Sequence, residues 1–371
     1  MKRVKNLYPQ LISDDNLKRA LLEVNATHRW LPKHKPNKTV AWVESDMEQR
    51  VIELREIIVN GFEPQPIIKK RRYDKSAGKW RDICEPVLWP DQYVHHALIQ
   101  VLEPVMMRGM DRYCCGSIRQ RGIHYGMKAI KKWMKEDPKG TKWCLELDIH
   151  HFYDSLQPEI VMARLRELVK DHQVLDLVER VIADGVQIGV YCSQWFANTT
   201  LQPLDHLIRE GGFGVKHYLR YMDNFTIFSS NKRKLRKLFY AIQKWLAEHN
   251  LGIKDNWQIY LTSIRQPVAL GYRFGHGYTL LKKRNLLRLK RQLNRYYYKK
   301  RHHRRISMRF ASGLLSRLGQ LNHCNSTQVM KRIYRGRVQK DLKTVVRRYS
   351  RREKLKWSTF SEEMTLQATK P

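Results

Sequence analysis

Residues 217–229 read His-Tyr-Leu-Arg-Tyr-Met-Asp-Asn-Phe-Thr-Ile-Phe-Ser, and they carry the clearest structural signal in the chain. Two short stretches rich in aromatic and β-branched residues flank a polar centre. The pattern predicts two strands joined by a tight turn at Met222–Asn224. The turn holds the acid Asp223, so a carboxylate is expected at the tip of an antiparallel hairpin.

A second acid also lies where an apolar strand ends. Residues 143–147 are short and apolar enough for a buried strand, which we expect to stop at Asp148. An aspartate in such a place is often only a turn residue or a helix cap. Two of them in a basic chain indicate a hard cation, because Mg²⁺ takes a few carboxylates together with phosphate oxygens and waters. Asp148 and Asp223 are therefore candidate metal ligands.

Helices and strands alternate along the rest of the chain. Extended basic stretches on either side of a polar turn predict a β-hairpin at 67–83. This interleaving indicates an α/β or α+β core. Apolar periodicity and end signals predict helices at 14–24, 44–60, 91–107, 124–136, 158–169, 193–209 and 234–250.

The composition is strongly basic. The 371 residues include 71 Lys and Arg against 35 acids, a net charge of +36 that calls for an anionic partner. Nucleic acid fits because each neutralised phosphate releases a counterion, and an anionic membrane surface is the rival interpretation. No apolar run approaches the length of a spanning helix, and no leader follows Met1, so a cytoplasmic protein with no membrane partner is expected.

Most of the excess charge lies near the C-terminus. Residues 281–357 contain 26 Lys or Arg and only two acids, Asp341 and Glu353. Arg295 precedes a run of three tyrosines there, and Lys299 and Arg301 follow it, a pattern in which rings stack on bases while cations hold phosphates. A mixed body followed by a basic helical tail is expected. The six cysteines form no Cys-x-x-Cys pair, so zinc sites and a disulfide framework are disfavoured.

Several ordered motifs resemble those of reverse transcriptases. Residues 147–156 resemble the first catalytic motif, and 218–225 resemble the Tyr-x-Asp-Asp hairpin. Residues 185–198 are similar to the Gly-x-x-x-Ser-Gln motif of diversity-generating retroelement and retron-like enzymes. The order of the motifs makes the resemblance specific. Segments 81–86, 93–98 and 116–124 resemble the fingers motifs, 270–274 the primer grip and 316–326 the thumb.

The resemblance implies a right-hand α+β polymerase of fingers, palm and thumb, with an antiparallel palm sheet and a basic helical thumb. Asp148 and Asp223 would be catalytic and would bind two Mg²⁺ ions, or Mn²⁺, with the Ile149 carbonyl as a further ligand. The implied regions are an N-terminal helical region (1–65), fingers (66–140), palm (141–280) and thumb with tail (281–371).

The same resemblance implies the substrate contacts. Tyr153 would crowd a ribose 2′-hydroxyl and so select dNTPs, and Lys254 is a candidate for protonating pyrophosphate. The remaining implied contacts to dNTP are Lys79, Arg81 and Gln194, and those to nucleic acid are Arg119, Arg121, Ser193, Gly271, Tyr272, Arg295, Lys299 and Arg301.

One position departs from the family pattern. Asn224 stands where the family usually has a second Asp, and asparagine supplies no negative charge, although its carbonyl can face a cation. Glu146 lies on the same strand face as Asp148 by alternation and is a candidate to compensate, or to form a salt bridge across the ladder. The paired histidines 95–96, 150–151 and 302–303 are poor chelates, because neighbouring strand residues face opposite ways.

Three functions stay open from the sequence. The first is a diversity-generating retroelement enzyme that copies template RNA into cDNA with a small basic accessory protein. The second is a retron-like or antiviral-defence enzyme, prokaryotic or phage-encoded, that copies a structured non-coding RNA. The third is an RNA-binding protein that has lost polymerisation, suggested by Asn224. A group II intron maturase would need more chain.

Overall fold

The computed structural model describes residues 2–31, 35–74, 78–334 and 337–368, without the side chains of Lys79 and residues 362–368. The helices are α1 (Tyr8–Leu11), α2 (Asp14–His28), α3 (Lys38–Ser45), α4 (Met47–Val59), α5 (Tyr93–Met107), α6 (Ile123–Glu136), α7 (Phe152–Ser155), α8 (Pro158–Leu168), α9 (His172–Val181), α10 (Tyr191–Thr200), α11 (Gln202–Glu210), α12 (Lys232–Glu248), α13 (Lys283–Arg301), α14 (Met308–Leu321), α15 (Thr327–Ile333) and α16 (Val338–Ala368). The strands are β1 (Trp30–Leu31), β2 (Lys35–Pro36), β3 (Ile68–Asp74), β4 (Lys79–Glu85), β5 (Trp143–His150), β6 (His217–Tyr221), β7 (Asn224–Ser229), β8 (Gly252–Ile253), β9 (Gln258–Leu261), β10 (Val268–Ala269), β11 (Tyr272–Gly275) and β12 (Tyr278–Leu281).

A five-stranded antiparallel sheet forms the centre. Its order is β6-β7-β5-β8, and β9 also pairs with β5. The predicted hairpin at 217–229 is present as β6 and β7. The expected end of β5 at Asp148 was wrong, because the strand continues to His150 by pairing Ile149 with Ile253 of β8. The α+β class with an antiparallel palm sheet is confirmed.

The two faces of this sheet belong to two different hydrophobic cores. Leu145, Leu147 and Ile149 lie in the larger core, which also contains apolar residues of α2, α5, α8 and α12. Cys144 and Phe228 lie in the second core, with residues of α6, α13 and α14. Side chains alternate along β5, so Asp148 faces away from the larger core.

The second predicted hairpin is also present. Strands β3 and β4 pair over their full length, from Ile68 opposite Glu85 to Asp74 opposite Lys79. The side chains of Ile68–Tyr73 are exposed, so the hairpin projects from the body. Lys70 and Arg72 both contact the carboxylate of Glu85 across the pair.

Two predicted helices differ in the structure. The helix expected at 44–60 begins later, as α4, because Glu44 and Ser45 end the separate helix α3, which was not predicted. Asp46 between the two helices caps α4 by accepting a hydrogen bond from the backbone N–H of Gln49. The helix expected at 193–209 is α10 followed by α11. Pro203 in the first turn of α11 has no N–H to continue the preceding helix. The other predicted helices are present, with ends displaced by a few residues.

The last helix joins two distant regions. The 31 residues of α16 extend for about 46 Å. One part of α16 packs on α14, and another packs on α3 near the N-terminus. The contact with α3 rests on Trp357, which is 8% exposed, lies against Val40 and Ala41 and meets the Trp30 ring edge-to-face at 5.6 Å.

Replacing Trp357 with alanine should release the C-terminal half of α16 from α3. Removing a buried tryptophan costs about 3–5 kcal/mol, and nothing else described anchors that contact as deeply. Amide hydrogen exchange should then show lost protection after roughly residue 350, with α14 unchanged. Leu355→Ala, at a position 72% exposed on the same helix, should change nothing. Equal protection in the Trp357→Ala variant would contradict this account of α16.

No helix in the described residues is long and apolar enough to cross a membrane. All six cysteines are unpaired, and only Cys324 is not fully buried.

Candidate active site

The two predicted carboxylates lie side by side at one end of the central sheet. Asp148 in β5 is paired with Asn224 of β7, the residue that follows Asp223. The backbone N–H of Ile149 donates to the carbonyl of Asp223 at 3.1 Å and fixes the turn against β5. Both carboxylates are partly accessible, at 23% for Asp148 and 29% for Asp223. Residues 75 positions apart therefore share one accessible site.

Lys254 lies between the two acids. Its Nζ is 2.5 Å from an oxygen of Asp148 and 4.0 Å from an oxygen of Asp223. Its backbone N–H also donates to the Asp148 carbonyl at 2.9 Å. Burial raises the pKa of Asp148 to about 6; the Lys254 ammonium opposes this rise, and the Asp223 charge adds to it. Ionising Asp148 is thus costly even beside the Lys254 ammonium, and two carboxylates are ligands that hard divalent cations prefer.

Asn224 contacts this pair of acids, whereas Glu146 forms its hydrogen bond elsewhere. Asn224 is exposed, and its Nδ2 donates to an oxygen of Asp223 at 2.9 Å. Asn224 therefore restrains Asp223 rather than adding charge. The carboxylate of Glu146 accepts the backbone N–H of Val268 at 2.8 Å. That hydrogen bond ties Glu146 to β10, in place of the expected ladder salt bridge.

The turn that carries Asp223 is strained and closely packed. Met222 has a φ of 56°, in the left-handed region that side chains rarely adopt. A Cβ on Gly116 would lie 2.7 Å from the backbone nitrogen of Met222, so only glycine fits there. The segment 116–124, expected among the fingers motifs, thus begins in contact with the turn that carries Asp223.

A fully buried arginine supports the same turn from below. Arg220 is 0% exposed and binds both oxygens of Asp205, at 2.8 and 2.7 Å. It also donates to the Asn198 side chain at 2.8 Å and to the carbonyl of Met222 at 3.2 Å. Tyr218 donates to Asp205 at 2.5 Å. This Arg220 network links the turn to α10 and α11.

Sequence reasoning missed the Arg220 network. Its members were visible only as an arginine inside an apolar strand and as an aspartate and an asparagine on helical segments. An arginine between Leu219 and Tyr221 in a hairpin of largely apolar strands is a signal, since a buried charge needs a partner. Nothing in the sequence says which acid that partner is.

Tyr153 lies beside the pair of acids. It belongs to α7, which follows β5 through His151 at a φ of 43°. Its ring is half-buried against the larger core. Burial raises the pKa of Tyr153, and the nearby Asp223 charge raises it further. The ring is thus held near Asp223 as a neutral wall of the site.

The arginines predicted to lie in the fingers contact other parts of the protein. Arg81 donates to Asp74 at 3.0 Å within the exposed hairpin, and the side chain of Lys79 lies outside the described residues. Arg119 binds both oxygens of Glu23 at 2.9 Å, which ties its loop to α2. Arg121 donates to the carbonyl of Asp111 at 2.9 Å.

The other predicted contacts are divided between the site and distant places. Ser193 is buried and Gln194 half-buried in the first turn of α10, which begins at Tyr191. Gly271 lines the same cleft as Asp148. The Tyr272 ring is buried, and its hydroxyl donates to the Gln320 carbonyl at 3.1 Å.

Apart from Lys254, the basic residues that line the cleft are not the tail residues predicted from the sequence. Arg295, Lys299 and Arg301 lie in the last two turns of α13. The cleft beside Asp148 instead continues into a neighbouring groove along the first half of α13. Val268 and Lys282 line both the cleft and this groove. The further cations of that groove are Arg273, Lys283, Arg284, Arg288 and Arg291.

This geometry, two acids on an antiparallel hairpin and its neighbouring strand beside a basic groove, is that of a polymerase palm. Residues 68–268, just over half of the chain, match the family described as reverse transcriptase (RNA-dependent DNA polymerase). The chain therefore belongs to the reverse transcriptase family.

Two curated relatives are similar over part of the chain. Protein YkfC of Escherichia coli is 23% identical over 238 residues, which cover 60% of this chain and 57% of the relative. Nuclear intron maturase 1, mitochondrial, of Arabidopsis thaliana is 29% identical over 106 residues, covering 28% of this chain and 14% of the relative. The chain thus spans little more than half of the first and a small part of the second.

Two solved structures are also similar. Telomerase from Candida albicans in complex with a fragment of telomeric RNA gives a TM-score of 0.44 at 12% identity, over 70% of this chain and 56% of that one. Apo telomerase from Candida tropicalis, truncated from its C-terminal domain, gives 0.41 at 14% identity, over 62% and 58%.

Proposed function

We propose that this chain is an RNA-directed DNA polymerase that extends a primer on an RNA template. The observation that carries the proposal is the shared accessible site of Asp148 and Asp223 at the edge of a basic groove. Both acids would hold Mg²⁺, with the backbone of Ile149 beside them. Bound Mg²⁺ would supply the charge that activates a hydroxyl and stabilises a leaving phosphate.

Within this proposal the chain's own residues take separate roles. Lys254, within 4.0 Å of both acids, would move its ammonium from the carboxylates to the leaving phosphate. The groove at the start of α13 would hold backbone phosphates. We further propose residues 66–140 as fingers, 141–280 as palm and 281–371 as thumb and tail.

Primer extension by the purified protein tests the proposal. With Mg²⁺ or Mn²⁺, the protein should add dNTPs to a DNA primer on an RNA template. Absence of extension on every RNA template tried, with RNA binding intact, would favour the RNA-binding alternative that Asn224 suggests.

The ring of Tyr153 should select deoxyribonucleotides. Tyr153→Val should raise the incorporation of rNTPs relative to dNTPs by at least about tenfold, because the ring that crowds a 2′-hydroxyl is gone. Single-nucleotide extension with each substrate measures the ratio. Tyr153→Phe keeps the ring and is the matched control. An unchanged ratio in Tyr153→Val would remove Tyr153 from this role.

An aspartate at position 224 should increase the affinity of the site for Mg²⁺. Asn224→Asp should lower the Mg²⁺ concentration for half-maximal extension by about tenfold, since affinity follows the charge of the ligand set. Asn256→Asp adds the same charge to the rim of the same cleft and should shift it little. Equal shifts in both variants would show that only net charge matters.

We propose a diversity-generating retroelement as the source, because residues 185–198 resemble that group. The retron-like or defence alternative shares the motif. Sequencing RNA that copurifies with the protein distinguishes them: a template repeat supports the first, and a structured non-coding RNA supports the second.

A further inference from the structure

Helix α12 covers the side of the central sheet opposite the acids. Its buried residues Leu235, Leu238 and Ile242 share the larger core with Leu147 and Ile149 of β5. These two strand residues flank Asp148 and point the other way. A nucleic acid bound at Asp148 therefore has the whole sheet between it and α12.

The outer face of α12 is a stripe of cations around one aromatic ring. Arg233, Lys237, Tyr240 and Lys244 follow at helical spacing and are all exposed. They extend for about 17 Å along the axis. Tyr240 is 60% exposed, well beyond what a packing role requires. Arg236 and Lys232 lie beside the stripe and line a shallow depression with it.

The positive charges at the start of α12 destabilise the helix. The first turn of α12 holds three cations and no acid, although the N-terminus of a helix carries partial positive charge. In the described part of the chain, no acid lies within ion-pair distance of Arg233, Arg236 or Lys237. The ion pair described on this face is Lys244 with Glu248, at 4.0 Å. The cations at the N-terminal end of α12 that have no described acidic partner, Arg233, Arg236 and Lys237, are complementary to an anion.

We propose that the outer face of α12 binds the RNA backbone outside the catalytic cleft. The cations hold phosphates and the Tyr240 ring stacks on an unpaired base. Because the sheet separates the two surfaces, this contact engages a part of the RNA that is not being copied. The inference rests on the proposed function, in which an RNA is the substrate.

A triple variant tests the proposal in the full chain. Arg233→Gln, Arg236→Gln and Lys237→Gln together remove three charges from the outer face of α12; this triple variant is called the stripe variant. Lys132→Gln, Lys135→Gln and Lys139→Gln, three exposed positions on and after α6, remove the same charge elsewhere. Two probes are used: a short blunt RNA/DNA duplex, and the same duplex with a long single-stranded 5′ RNA extension.

The stripe variant should bind the extended probe roughly tenfold more weakly and the blunt duplex with wild-type affinity. For the extended probe, the slope of log affinity against log salt concentration should be smaller in magnitude by about 2. The thermal unfolding midpoint of the stripe variant should not fall, because the substitutions remove positive charges from a helix N-terminus that itself carries partial positive charge. The α6 variant should match wild type on both probes.

Unchanged affinity for the extended probe would overturn the proposal, as would an equal loss on both probes. Binding of wild type to anionic lipid vesicles, lost in the stripe variant while RNA binding is kept, would assign the surface to a membrane instead. These are binding measurements, so they remain decisive even if primer extension fails.

Discussion

Asp148→Asn should reduce primer extension by at least about 1000-fold while RNA binding is retained. The substitution keeps the size of the side chain but removes half of the negative charge that Asp148 and Asp223 present together. It also leaves Lys254 beside a neutral amide in place of the carboxylate it contacts at 2.5 Å. Steady-state extension rates at saturating Mg²⁺ measure the effect.

Asp154→Asn is the matched control for this change. Asp154 lies six positions further along, in α7, with its side chain 72% exposed and paired to His151. It should keep near-normal activity. A similar loss in both variants would mean that the extension rate depends on the net charge of this region and not on Asp148 itself. Activity of Asp148→Asn within tenfold of wild type would contradict a catalytic role for this acid.

Arg220→Met should have the second-largest effect, on stability and activity together. Breaking a buried ion pair costs about 3–5 kcal/mol because Asp205 keeps its charge without its cationic partner. The carbonyl of Met222 also loses its donor, next to Asp223 in a turn with positive φ. Denaturant unfolding measures the first effect, and primer extension at a temperature where the variant is folded measures the second.

A triple variant separates these two effects. Arg220→Met, Asp205→Leu and Tyr218→Phe together remove the buried charges and the hydroxyl that bonds to Asp205. Stability should largely return, since well-packed apolar groups replace buried ion pairs at little cost. Activity should stay low, because the Met222 carbonyl is still unsupported. Full activity in the triple variant would show that Arg220 serves folding alone.

Local patterns predicted the elements but not their partners. The hairpins at 217–229 and 67–83 followed from strand-forming residues around polar turns, which is information within a few positions. The extension of β5 to His150 depends on pairing with β8, about a hundred residues further on, and could not be seen locally. The break between α10 and α11, in contrast, has a local signal in Pro203, which the prediction of one helix at 193–209 does not take into account.

The site was predicted unevenly for the same reason. Asp148, Asp223, Tyr153 and Lys254 lie in motifs with a fixed order, and the structure brings these four together. Arg119 was expected at nucleic acid but is tied to Glu23 of α2, a long-range partner that no local pattern specifies. Composition identified a basic tail, yet it could not tell that the start of α13, rather than Arg295–Arg301, lies at the cleft.

The most direct test of the account is a crystal structure of the protein grown with Mn²⁺, examined by anomalous diffraction. We expect Mn²⁺ peaks between Asp148 and Asp223, two of them about 4 Å apart when a nucleotide is present. Lys254 should have withdrawn from Asp148. A map with no peak at these two carboxylates, or with Mn²⁺ held only by other residues, would contradict the assignment of this site.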